Sequence, residues 1–369
     1  MFDWVPIQQY TFYFNILVLL LVLFAALQCF TNQVLQKSTV QANAIFGVVV
    51  TILIILYMGL RPVHHIFGDT VIYARSFDRL TDNEFIFGFT NEWAFHDLMI
   101  IHKRLGDLHS FFVNCAIIYV GSLWWAMKRI FGNYYWIPLL VAFSMFTFWD
   151  YGVNGIRNGM GASVFILAIS FANQIPIMIL LAFLATGFHT SIWLMVAAAI
   201  AGWLYQNSKS YLVIWILCVV LSWFWGGTIQ DYLGNLSLFG GDDRFTGYLN
   251  YTQEQMIRDG YVVDTSFRWD FLIYSSFAVG VGYYFIFERK FKDEYYHWLY
   301  NVYLITNAFW ILIIRAPYSN RFAQISWFIM PIVLIYPFMK KRFWKDHERM
   351  IGYAIVAFYA YTFYVAFIH

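Results

Sequence analysis

Apolar residues along this chain gather into long runs, at about 11–30, 43–60, 110–127, 134–149, 158–173, 175–187, 188–205, 210–226, 269–287, 297–314, 321–339 and 350–367, with polar residues confined to the gaps. Runs of roughly 18 apolar residues predict helices that cross a membrane. The expected fold is all-α: a polytopic integral membrane protein with about 11–12 transmembrane segments, forming a single membrane domain over 1–369. Composition agrees, since 61% of the residues are hydrophobic and only 12% charged, too apolar for a soluble chain of this length. Cys29, Cys115 and Cys218 each fall inside an apolar run without ligand spacing, so they read as core residues, with neither a disulfide nor a metal implied. The N-terminus lacks a basic region followed by a small-residue cleavage site, and the first run reads as a retained helix.

The charged gaps set an orientation, because Lys and Arg accumulate on the cytoplasmic side. Lys37, Lys128–Arg129, Lys209, Arg289–Lys290–Lys292 and the cluster from Lys340 to Arg349 all fall on one face. Both termini and two long loops, about 61–109 and 227–268, are then expected outward. This bookkeeping requires two crossings within 174–205, joined near Gly187–Phe188–His189. The first has only about 13 residues, or roughly 20 Å of helix, against a hydrocarbon core of about 30 Å. A shortened or re-entrant helix near 175–187 is therefore predicted. Its turn, with His189, is expected to line a cavity open to the outside, since irregular backbone at depth is tolerated only beside protein or water.

The two cation types are unevenly shared. On this topology the outward face carries Arg61, Arg75, Arg79, Arg104, Arg157, Arg244, Arg258, Arg268, Arg315 and Arg321 but only one lysine, Lys103. Guanidinium suits bidentate contact with phosphate or carboxylate and stays charged, which points to an anionic ligand at the outer leaflet. Pairing with outward acids is the plainer account for loop arginines such as Arg244 and Arg258. Arg157 at the mouth of one apolar run, His189 within another, and Arg315 and Arg321 flanking a turn with Tyr318 and Asn320 sit where a membrane makes charge costly, the places where polar groups mark sites. Snorkelling to headgroups is the competing account for the last two arginines. Within 61–109, Trp93, Phe95, Leu98, Ile101 and Leu105 recur at helical spacing, predicting an amphipathic helix along the interface. Asp69, Tyr73, Glu92 and His96 are presented there, with a solvated loop face as the alternative for each. Asp150 is a further outward carboxylate, or a helix-end charge paired with Arg157. The aromatics mixed with Asp and Asn in 227–268 suit sugar faces and equally suit any interfacial loop.

Glycine-rich nucleotide loops, CxxC, HExxH and GxSxG are absent, so cofactor chemistry finds no support, and no metal or nucleic acid is implied. The order of short motifs is more informative. Asp69 and Tyr73 form an Asp-x-x-x-Tyr element, and Glu92, Trp93 and Phe95 a Glu-Trp-x-Phe element. Ile156, Arg157 and Ala162 open a helix, Phe188, His189 and Ser191 follow, and Arg315, Tyr318 and Arg321 precede a helix with Pro331. Together these resemble the EpsG-like polysaccharide polymerases, related to Wzy polymerases, over most of the chain. Gly159 and Gly161 depart from the commoner Gln and Ala and suit close helix or lipid approach.

The resemblance implies a GT-C-like glycosyltransferase in a bacterial plasma (inner) membrane, its site facing the periplasm or exterior. Such an enzyme polymerises undecaprenyl-pyrophosphate-linked oligosaccharide repeat units into O-antigen, capsule or exopolysaccharide, alongside a chain-length-regulating co-polymerase. Arg157, His189, Arg315, Arg321 and Tyr318 would then bind pyrophosphate. Asp69, Glu92 or Asp150 would serve the acceptor hydroxyl, and Tyr73 and Asn320 would line the site. A glycan ligase or single-sugar transferase shares this chemistry. A flippase fits the broken 175–205 element but not the missing internal repeat, and a membrane O-acyltransferase leaves the arginines unexplained.

Overall fold

The computed structural model describes residues 4–81, 91–235, 266–316 and 319–368, and every regular element among them is helical. The chain is an all-α, polytopic membrane protein. Seven helices among the described residues are long and apolar enough to cross a membrane: α1 (Tyr10–Phe30), α2 (Lys37–Gly59), α5 (Leu108–Tyr134), α11 (Ser208–Asn235), α12 (Trp269–Glu288), the pair α14–α15 (Asn320–Trp327, Met330–Lys340) and α16 (His347–Phe367). Shorter elements are α3 (Thr70–Arg79), α4 (Trp93–Leu105), α6 (Trp136–Phe143), α7 (Phe148–Val153), α8 (Ile156–Ile169), α9 (Ile175–Phe188), α10 (Ile192–Leu204) and α13 (Glu294–Leu312).

Most predicted runs coincide with a helix. The run at 134–149 does not form one crossing: α6 and α7 are separated at Ser144–Thr147, and α6 is buried along its whole length. An element covered on all sides serves as core and needs no length to span. The predicted amphipathic helix is α4, but its burial changes along the axis. Ala94, Phe95, Met99 and Ile100 are buried while Ile101 and Leu105 are exposed. Its first turns pack on protein, and only its end offers the apolar stripe outward.

The described residues form two compact units, 1–193 with 335–369, and 194–334. In the first, α8 is the central helix, with every residue except Arg157 buried. It lies close against α9 because Gly161 has no side chain: a Cβ there would sit 2.8 Å from Ile192 and 3.0 Å from the Ala185 carbonyl. α9 is short, as predicted, with 14 residues or about 21 Å of rise. Its early residues, Ile175, Ile177, Ile179 and Leu180, are exposed, and burial begins at Ala185. The helix is fully buried only in its last turn, which delivers His189.

In the second unit α11 packs on α13, and Trp215 donates to Asn307, which donates to Ser326. Such bonds fix helix register where lipid offers no competing partner. Arg315 lies beside Gly226, next to the non-helical Trp225, and over the Phe267 ring at 5.6 Å. Arg321 is exposed, Asn320 begins α14, and Tyr318 lies outside the described residues, as do Arg244 and Arg258. Two of the arginines expected outward have plain structural work. Arg268 grips Asp270 through two hydrogen bonds. Arg61 is 1% exposed, donates to the Met58 and Val153 carbonyls and to Thr70 Oγ1, and lies over Phe112. Burial pulls its pKa down to about 10, still charged at neutrality.

Candidate functional site

Three segments of the first unit meet at the start of α8. The earliest is the link from α2 to α3, which is fastened to the α7–α8 turn. Arg61 and the Thr70 hydroxyl both donate to the Val153 carbonyl, and the Asp69 N–H donates to Asn154 Oδ1 at 2.9 Å. Gly68 makes this approach feasible, with φ +57° and the position of a Cβ only 2.1 Å from Asn154 Oδ1. Asn154 in turn donates to Asp150 Oδ1 at 3.1 Å. Asn154 was not singled out by the sequence reading, because an uncharged residue in a helix break carries no compositional signal.

This fastening sets Tyr73 beside Arg157 and Asp69 near Tyr73. Tyr73 is buried, its ring 5.5 Å from the Arg157 guanidinium and edge-on to Phe95, which is 5.9 Å from the same guanidinium. Burial pushes the Tyr73 phenol up, Arg157 opposes that shift, and the Asp69 and Glu92 carboxylates reinforce it. Asp69 is half-buried at the N-cap of α3, yet its carboxylate caps nothing.

The second segment supplies Glu92, the N-cap residue of α4, in the left-handed region at φ +65°. Few residues other than glycine take that conformation, and those that do are held there by their surroundings. One carboxylate oxygen, Oε2, accepts from Arg157 Nη1, and the other, Oε1, lies 3.6 Å from His189 Nε2. The side chains of Glu92, Arg157 and His189 are 16%, 17% and 24% exposed, so the group is largely dry yet reachable by solute.

The third segment is the α9–α10 turn. His189 is extended there, and its Nδ1 accepts from the Ser191 N–H at 3.1 Å with the Ser191 hydroxyl at 2.7 Å. A backbone N–H can only donate. The neutral imidazole therefore carries its proton on Nε2, the nitrogen that faces Glu92. Ser191 follows His189 in the Phe188–His189–Ser191 element, and sequence alone gives it no role. Gly187 lets this turn close on α4, since a Cβ there would meet the Trp93 ring at 2.5 Å.

Arg157 stands in the first turn of α8, whose N-cap is Gly155 and so offers no capping side chain. The Nε of Arg157 and Oδ1 of buried Asn158 have no hydrogen-bond partner. A guanidinium from the first turn of α8 and an imidazole N–H from the α9–α10 turn thus converge on one carboxylate, an arrangement that suits an anion. Of the residues predicted for the site, Tyr73, Glu92, Arg157 and His189 are together, Asp69 is near Tyr73, and Asp150 is joined to Asp69 through Asn154. Arg315, Asn320 and Arg321 are in the second unit. Among the described residues no three His, Cys, Asp or Glu side chains gather as metal ligands.

Neither a curated protein nor a solved structure matches this chain. The family model of the EpsG family matches residues 44–369, a span that includes every residue of this cluster. The chain belongs to the EpsG family, whose members are polysaccharide-polymerase-like membrane proteins.

Proposed function

We propose that this chain is a membrane glycosyltransferase that polymerises oligosaccharide repeat units carried on undecaprenyl pyrophosphate. The observation that supports it most is the convergence of Arg157 Nη1 and His189 Nε2 on a single anionic group at the start of α8. In the proposed step the acceptor hydroxyl attacks the anomeric carbon of the donor sugar. The bond from that carbon to the phosphate oxygen breaks, undecaprenyl pyrophosphate leaves with the electron pair, and a glycosidic bond forms. The acceptor proton passes to a carboxylate, for which Asp69 is the candidate. Charge develops on the departing phosphate, so fixed donors from Arg157 and His189 stabilise the transition state more than the ground state. Tyr73 lines the site, and Arg315, Arg321, Asn320 and Tyr318 remain candidates for further substrate contact. The site faces the outer side of a bacterial plasma membrane, and a chain-length co-polymerase is the expected partner.

The test is reconstitution of the full chain in liposomes with lipid-pyrophosphate-linked oligosaccharide. A ladder of products is expected, falling by about 10²–10³ in Arg157→Ala, the scale for losing one fixed donor, and weakened in His189→Ala. Transbilayer movement of the substrate without elongation would overturn the reading in favour of a flippase. Transfer of one unit without a ladder would favour a ligase.

A further inference from the structure

We propose that Glu92 occupies the seat of a substrate phosphate, and that phosphate binding displaces its carboxylate from Arg157 and His189. The inference rests on the reading of this site as one for lipid pyrophosphate. Its first support is charge. Arg157 carries +1, Glu92 −1, and His189 is neutral in the Nε2–H form set by Ser191. These three sum to zero, and the Asp69 carboxylate near Tyr73 adds only negative charge, so an entering phosphate meets no net attraction in a largely dry site while the Glu92 carboxylate stays.

The second support is geometric. The two oxygens of Glu92 face donors from separate segments, α8 and the α9–α10 turn, as two non-bridging oxygens of a phosphate would. The Glu92 side chain does not cap its own helix, the usual use of an acidic N-cap. The third is conformational. Glu92 sits at φ +65°, a strained state that persists only under external constraint. Displacing the carboxylate removes one such constraint. The fourth is unspent capacity, since Arg157 Nε is buried without a partner. A phosphate has an oxygen more than a carboxylate to offer such a donor.

The experiment measures binding of inorganic pyrophosphate to the purified full-length protein. Glu92→Gln is expected to bind it about tenfold more tightly than the parent, and the gain is expected to vanish in Glu92→Gln combined with Arg157→Ala. Unchanged or weaker binding in Glu92→Gln overturns the proposal. So does a gain that survives loss of Arg157, because the effect would then be net charge alone. Should Glu92→Gln fail to fold, Glu92→Asp, one methylene too short to keep both contacts, is expected to show a smaller gain, and no gain there also overturns it. A product ladder without any gain sinks the displacement alone. Tighter pyrophosphate binding without a ladder sinks the glycan reading alone.

Discussion

His189 Nε2 lies 3.6 Å from Glu92 Oε1, while the other oxygen of that carboxylate is held by Arg157. The residues concerned are 65 positions apart for Arg157 and Glu92, so only the tertiary fold unites them. It does so with a short helix that ends inside the protein, a central helix with one charged residue at its mouth, and the start of α4, on which the turn at Gly187 closes.

The tautomer of His189 follows from that geometry. With Ser191 N–H donating to Nδ1, the neutral ring is expected as the Nε2–H form. Nitrogen-15 shifts of labelled histidine in the folded protein report this directly. The Ser191→Ala variant keeps the backbone donor and is expected to keep the tautomer. A dominant Nδ1–H signal for His189 would sink the assignment.

The Arg157–Glu92 pair is largely desolvated, so removing one member strands the other. Loss of a partner from a fully buried pair costs about 3–5 kcal/mol. With 17% and 16% of the side chains exposed, roughly 2–3 kcal/mol is expected for Arg157→Ala or Glu92→Ala. The double variant is expected to cost much less than the sum. A double-mutant cycle on unfolding free energy in detergent checks this, and additive losses would show the pair to be uncoupled.

Much of this was legible in the sequence, and the limits have physical causes. Apolar runs gave the helices because backbone groups in lipid have little choice but helix. The shortened α9 came from loop charges, which must alternate in side. Arg157 and His189 stood out because charge in an apolar run is costly. Glu92 did not stand out from Asp69 and Asp150, because its significance lies in partners supplied by other segments. Arg61 belongs to the arginine excess that points to an anionic ligand, yet it is bound largely by backbone carbonyls of Met58 and Val153, acceptors that every residue possesses and no composition reveals. The stripe on α4 was read as one face, because periodicity cannot tell that a helix leaves the protein halfway along.

Gly187 carries the contact between the α9–α10 turn and α4. In Gly187→Ala the new methyl meets the Trp93 ring at 2.5 Å, and Trp93 adjoins Glu92. Overpacking of this kind costs about 1–3 kcal/mol, and here it also shifts Glu92 away from His189. A lowered unfolding midpoint and reduced product ladder are expected. Gly280→Ala is the control, since a Cβ there meets nothing within 4 Å, and helix propensity predicts a gain of about 0.5–1 kcal/mol. Similar behaviour of the two variants would refute the close approach.

Tyr73 gives the site an alkaline limit. Its phenol is pushed above the ordinary value of 10.0, chiefly by burial, with Arg157 acting the other way. In the unfolded chain the phenol ionises near pH 10, whereas in the folded protein it holds its proton to higher pH. Between those values the unfolded state binds fewer protons than the folded state, so stability falls as pH rises. The contribution is whole below pH 10 and is lost progressively above it, through the raised folded value. Tyr73→Phe removes the titrating group and keeps the ring beside Phe95 and Arg157. Its stability is therefore expected to decline less steeply than the parent's between about pH 10 and 11.5, while the two run parallel from pH 7 to 9. Unfolding free energy measured across that range decides the matter. Equal slopes above pH 10 would mean that Tyr73 is no more buried in solution than in the unfolded chain.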